Sequence, residues 1–354
     1  MKRILTIISI LTAAAMFFTA CSGRNTATIS ENESKKISVV ATIFPQYDFI
    51  RQIAGDNVEL SMLLPPGAES HSFDPTPQDI IRIQNSDMFI YVGGESDSWI
   101  DDILSSMDTS NMEIVSLMNL VDIVEEEIVE GMEDEHGHEH DDDSEHSDGD
   151  DHEHDDDGEH EEAAEQHDDS GHDDSEHEVE YDEHVWTSPR NAMIIVQSLS
   201  DMLCVLDPAN ASIYEQNTAS YLEELENLDN TFKEAVSAGS RKTLVFGDRF
   251  PFRYFADAYG LDYFAAFPGC STETEASAST VAFLIDKVKE ENIPAVFHIE
   301  FSNEKMANTI SEATGAEKLL LHSCHNITKD DFENGITYLE LMTCNVDTLK
   351  EALQ

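Results

Sequence analysis

Fifteen histidines are spread unevenly along this 354-residue chain. Ten of them fall in one stretch: His136, His138, His140, His146, His152, His154, His160, His167, His172 and His177. Imidazole is a ligand for zinc, copper and nickel, and carboxylates add negative charge and oxygen donors. From Glu130 to Glu183 the chain holds 29 Asp plus Glu and no Lys or Arg. Spacings such as His136-Gly-His138-Glu-His140 and His152-Glu-His154 suit the collection of metal ions. The same composition offers nothing to bury, so the tract is expected to be disordered without a bound ion. An acidic, solubilising loop is the plainer reading of it.

Five histidines lie elsewhere. His71 stands in LLPPGAESHSFDPTP, His184 in DEHVWTSPRNA, His298 in AVFHIEF, and His322 and His325 in LLLHSCHNIT. All but His298 sit at the end of an expected strand or just before an expected helix, where α/β proteins place ligands. His298 lies inside a strand and is read as a core or rim residue. Imidazole ligates only in its neutral form, so metal affinity should fall below about pH 6. Glu69 and Glu300 are near enough in sequence to orient ligand rings, or are solvated loop carboxylates. Cys270 and Cys324 both follow expected strands; they pair with each other or remain buried thiols. No CxxC pair is present for a cysteine-based zinc knuckle.

The elements that must position these residues follow from apolar runs and breakers. Runs at 37–43, 58–64, 88–92 and 113–116 read as strands, with helices expected at 49–53, 77–85 and 99–107. Alternation restarts after Gly239, with strands at 242–246, 262–267, 295–299 and 318–321 and helices between them. Between the two halves, Tyr214, Thr218, Tyr221, Leu225, Leu228, Phe232 and Val236 recur every three or four residues, which predicts one long helix. The expected class is α/β: two parallel-sheet lobes bridged by that helix, with a cleft between them. The boundaries are 37–206 for the first lobe, interrupted by the His-rich loop at 130–180. The linking helix is 207–239, and the second lobe is 240–354.

Lys2 and Arg3, an apolar stretch to Phe18, then Thr19-Ala20-Cys21-Ser22 read as a secretory signal over 1–21. Cys21 is the expected lipid attachment site, and polar residues 22–36 the tether. A plain signal peptide or an uncleaved anchor are the alternatives. The formal net charge is −55, and the His-rich segment accounts for about half of it. A surface this acidic is a poor partner for nucleic acid and a natural one for cations.

Taken together, ISVVATIFPQYDFIRQIAGDNVELSMLLPPGAESHSFDPTPQDI and DEHVWTSPRNA closely resemble the zinc-type substrate-binding lipoproteins of bacterial ABC importers. The resemblance covers nearly the whole mature chain. It implies two α/β lobes bridged by one helix and a metal ion between them. It further implies a monomer, tethered outside the cell membrane, that passes Zn²⁺ to a permease. The family's first two ligands fall on His71 and His184, and the fourth aligns with His325. At the third position the family has His, or Glu in manganese members, whereas this chain has Arg249, which cannot bind a cation. His322 is the expected substitute, and Asp248 the weaker one. Imidazoles favour zinc over manganese. Two other functions stay open: a zinc-dependent hydrolase, against which stands the absence of HExxH and GxSxG motifs, and a surface metal buffer or adhesin.

Overall fold

Short apolar runs punctuated by Gly and Pro build two sheets with the same strand order. The structure, a computed structural model, describes residues 35–68, 73–132, 180–271 and 275–354. The first lobe runs β1 (Ser38–Ala41), α1 (Phe44–Ala54), β2 (Glu59–Met62), α2 (Pro77–Gln84), β3 (Met88–Tyr91), α3 (Ser98–Ser106) and β4 (Glu113–Ser116). Its strands are parallel in the order β2-β1-β3-β4. Parallel strands need crossovers, which the helices supply, and both sheet faces are therefore covered. Val39, Phe89 and Ile90 are accordingly sealed from solvent.

Two helices connect the lobes, α4 (Pro189–Leu206) and α5 (Ala211–Ala238). The predicted stripe is realised: Tyr214, Thr218, Tyr221, Leu225, Leu228, Phe232 and Val236 are all buried. At ~1.5 Å per residue, α5 is long enough to lie along both lobes. Near its start, Asn217 donates to the Ile53 carbonyl of α1 (2.9 Å). Near its end, Phe232 packs edge-on against Phe255, ring centroids 4.9 Å apart.

The second lobe runs β5 (Thr243–Phe250), α6 (Arg253–Tyr259), β6 (Asp262–Pro268), α7 (Ala278–Glu290), β7 (Ala295–His298), α8 (Lys305–Thr314) and β8 (Glu317–Leu320). The order is β6-β5-β7-β8, again all parallel. Helices α9 (Lys329–Glu333) and α10 (Tyr338–Ala352) close the chain. Gly335, at φ 75°, divides them. Tyr338 returns to the first lobe, its amide donating to buried Asp48 (2.7 Å) and its ring packing 5.0 Å from Phe49.

Two further departures from the sequence reading shape the site. Strand β5 does not stop at Phe246; it runs to Phe250 with a register break between Phe246 and Arg249. Bulges of this kind re-aim side chains. In addition, the segment after β4 leaves the first sheet and lies against the second lobe. Its Val124 amide donates to the Tyr254 hydroxyl (3.3 Å), and the Tyr263 hydroxyl donates to Glu127 (3.0 Å). Residues 124–126 then pair antiparallel with 180–182. This short ladder closes the two ends of the His-rich segment directly beside His184.

Candidate metal site

Three chain segments are lashed together where the lobes meet. From the first lobe comes the turn after β2, whose Pro65 and Ala68 carbonyls both accept from the Asn326 amide (2.9 and 2.8 Å). The second segment is the ladder exit, Asp182 to Thr187. Its Trp186 indole donates to the Ser323 carbonyl (2.8 Å), and the Trp186 carbonyl accepts from the Tyr338 hydroxyl (2.7 Å). The loop after β8, Leu321 to Ile327, is the third. Between them is a cavity whose lining includes Ala68, His184, Arg249, Glu300, Ser323 and His325.

His184 and His325 face each other across this cavity. Their rings are 5.5 Å apart and nearly perpendicular, and Trp186 packs 5.4 and 5.0 Å from them. His184 is 1% exposed. Asp182 fixes it twice: Oδ1 accepts the His184 backbone N–H (2.8 Å) and lies 3.3 Å from Nδ1. A carboxylate on one ring nitrogen sets the tautomer and leaves the other nitrogen for an ion. Gly269 passes so close that a Cβ there would sit 3.2 Å from His184 Nδ1. Burial alone would push the His184 pKa down, but the charges of Asp182, Glu183 and Glu126 overcome it and raise it. Burial pushes the carboxyls of Glu183 and Glu126 up as well.

Glu300, just past β7, organises the His325 loop. Its carboxylate accepts from the Ser323 amide (2.7 Å), the Ser323 hydroxyl (2.6 Å) and the His325 amide (3.1 Å). These bonds hold the backbone of the loop that carries His325. His322 is placed differently from the expected substitute ligand. Its Nδ1 accepts the Cys324 N–H (2.9 Å), and it is not among the residues lining the cavity. Asp248 is also outside the lining; it accepts from the amides of Arg249 (2.9 Å) and Ile299 (3.4 Å). Arg249 itself lines the cavity. His298, read as core or rim, is partly buried, with Nδ1 3.1 Å from the Ile299 carbonyl.

Of the two alternatives for Cys270 and Cys324 the structure has the unpaired one: both are free thiols. Cys324 is sealed in the core with Tyr221 and Tyr338, whereas Cys270 lies against the ladder, its amide donating to Glu126 (3.0 Å). Glu69, His71, Cys21 and the ten histidines from His136 to His177 lie outside the described residues. Among the described residues no three His, Cys, Asp or Glu side chains form a metal cage. The sequence reading overlooked Asp182, Trp186 and Asn326. Only Asp182 carried a local signal, its spacing two residues before a candidate ligand.

Two like-ordered α/β lobes, a helix along both, and two imidazoles meeting at a buried cavity between them define a two-lobed α/β protein with an interlobe cavity. Residues 39–352 match the zinc-uptake complex component A periplasmic family, and the chain belongs to it. It is 28% identical over 344 residues to the high-affinity zinc uptake system protein ZnuA of Bacillus subtilis (strain 168), covering 97% of this chain and 96% of that one. Against the zinc-binding lipoprotein AdcA of Streptococcus pneumoniae (strain ATCC BAA-255 / R6) identity is 29% over 346 residues. That match covers 97% of this chain but only 60% of the streptococcal protein's length. Among solved structures, the Zn(II)-bound ZnuA-like domain of Streptococcus pneumoniae AdcA superposes with a TM-score of 0.66 at 25% identity, covering 90% of this chain and 99% of that one. Among the described residues no helix is long and apolar enough to cross a membrane.

Proposed function

We propose that this chain is an extracytoplasmic receptor for Zn²⁺ that delivers the ion to the permease of an ABC importer. The observation that carries the reading is the pair His184 and His325, brought 5.5 Å apart from segments 141 residues distant in sequence. His71 supplies the third imidazole. Three neutral nitrogen donors match zinc better than manganese. No bond is made or broken; the protein captures, holds and releases. Cys21 carries the lipid that tethers a monomer to the outer face of the membrane. The His-rich segment gathers ions and passes them inward through the 124–126/180–182 ladder, whose far end is the ligand His184.

Trp186 reports the cleft directly, because it touches both candidate rings. Zinc titrated into the protein should change its fluorescence at one equivalent with tight affinity, followed by weaker, spectroscopically silent binding at the His-rich segment. In the double variant His71→Ala/His184→Ala the tight phase should vanish and the weak phase remain. Identical titrations for the two proteins would mean that the His-rich segment is the sole metal site, and the receptor reading would fail.

A further inference from the structure

We propose that the Phe301 side chain gates the cleft: it stands in the mouth of the cavity that His184 and His325 line and sets how fast an ion enters and leaves, not how tightly it is held. The inference rests on the zinc reading above and adds the route and the rate of exchange. All but one of the described residues that line the cavity are buried or half-buried; the exception is Phe301, 39% exposed. Behind His184 the wall is closed, because Trp186 packs on the ring and Gly269 passes at close range. A side chain that faces both the cavity and the solvent marks where an ion would pass between them.

The fold itself has no use for a phenyl ring at this position. Among the described residues, the apolar clusters that build the lobes do not include Phe301. Its backbone is also held against preference. At φ 59° it lies in the left-handed region, which glycine enters freely and a bulky residue does not. Both flanks are tied down. On one side the Ile299 amide donates to Asp248 (3.4 Å) and the Glu300 carboxylate takes the Ser323 and His325 amides. On the other, the Ser302 hydroxyl donates to Asp248 and accepts the Glu304 amide (3.1 Å), Asn303 accepts the Lys305 amide (2.9 Å), and Glu304 pairs with Lys318. Strain fixed between anchors is typical of segments that switch. Rotation of the backbone at Phe301 out of the left-handed region relieves that strain and carries the ring away from the mouth, so the open and closed forms lie close in free energy. A gate that does not itself bind the ion scales entry and exit by one factor and leaves Kd unchanged.

Stopped-flow fluorescence on the whole chain tests this, with zinc mixed in to follow entry and a chelator to follow release. His184→Ala serves as the blank, so that only the cleft phase is counted. Phe301→Ala is expected to speed entry and release alike, each roughly tenfold, with the equilibrium Kd that of the parent protein. Phe301→Leu, which keeps apolar bulk, should lie between the two. Phe301→Gly should exchange as fast as Phe301→Ala yet melt at a higher temperature, because glycine carries no strain at that φ; it keeps the test open if the alanine variant folds poorly. Unchanged rates in the alanine and glycine variants overturn the gate and leave the zinc reading standing. Faster release with unchanged entry, and so a weaker Kd, also overturns it, because Phe301 would then be holding the site together. Absence of any His184-dependent phase in the parent protein overturns the zinc reading itself.

Discussion

The two lobes share a strand order, yet their loops behave differently where the strands end. After β3 the first lobe turns on Gly93 and Gly94, at φ 95° and 91°, values that cost glycine nothing. After β7 the second lobe turns through Phe301 at φ 59°, and the loop after β8 turns through Cys324 at φ 61°. Bulky residues in that region cost about 1–3 kcal/mol each and persist only when their surroundings hold them. The braces differ in the same sense. In the first lobe Asp97 accepts from Val92 and Gly93, the start of its own loop. In the second, Glu300 reaches across to the neighbouring loop and holds His325. His184 is sealed and doubly fixed by Asp182, whereas His325 is half-buried on a strained loop held by a carboxylate from the next strand. If the two imidazoles hold the ion as proposed, the contrast assigns the fixed one to the ladder exit and the releasable one to the second lobe.

The largest effect should separate the ligands themselves. His184→Ala is expected to weaken cleft zinc binding roughly 100-fold or more, about 2.7 kcal/mol, in a chelator competition followed by Trp186 fluorescence. His325→Ala should weaken it too, but with the loss concentrated in faster release. Equal release rates for the two variants in stopped-flow transfer to chelator would remove the assignment of roles.

Next in size is Glu300→Gln, expected to cost roughly 10- to 100-fold in affinity, because an amide presents one acceptor where the loop has three donors. The gain in release rate should resemble that of His325→Ala, and the two changes should be non-additive in a double variant. Full additivity would show that Glu300 contributes charge alone and does not hold the loop.

Asp182→Asn is expected to cost about tenfold at neutral pH. Its pH signature is more telling. The carboxylates raise the pKa of His184, so protons compete with zinc at a higher pH than for an ordinary imidazole. Without metal, that raised pKa contributes stability below the unfolded value, lost as pH rises through the folded one. Removing the nearest carboxylate lowers the His184 pKa, so the acid fall-off in zinc affinity should move to lower pH. A fall-off that stays in place would mean that another ligand governs it.

Much of this architecture is legible in the residues. The alternation of apolar runs and breakers gave both sheets, and the stripe from Tyr214 to Val236 gave the bridging helix, because period and breaker chemistry are local. Gly335 hides inside a helical pattern, and α1 begins at Phe44 and not at the expected residue 49 because Pro45 fits a helix's first turn. The site was half legible. His325 after an expected strand and His184 just before an expected helix were legible as positions facing a cleft. Which of Arg249, His322 and Asp248 lines the cavity depends on a bulge and on which way a ring turns, and both are tertiary facts. The crossing of the post-β4 segment to the second lobe depends on Tyr254 and Tyr263, more than a hundred residues away, and no window of sequence contains that.

The smallest expected effect tests the first lobe's brace. Burial pushes the Asp97 carboxyl up to about 7, outweighing the amide donors of Gly93 and Val92, and Glu183 adds to the rise. In the unfolded chain it titrates near ~3.9. Between those values the folded state holds the proton more tightly, so stability falls as pH rises through the window, and the penalty is complete above about 7. Asp97→Asn keeps an oxygen for both amides and never ionises. It should match the parent protein near pH 4 and exceed it at pH 8 by about 1 kcal/mol, a shift of roughly 2–4 °C in Tm for a domain of this size. The gain should appear without change in zinc release, since Asp97 braces its own loop and not a ligand. A gain equal at both pH values would remove ionisation as its cause. A change in release rate would extend the releasable side of the cleft to the first lobe and dissolve the contrast between the two loops.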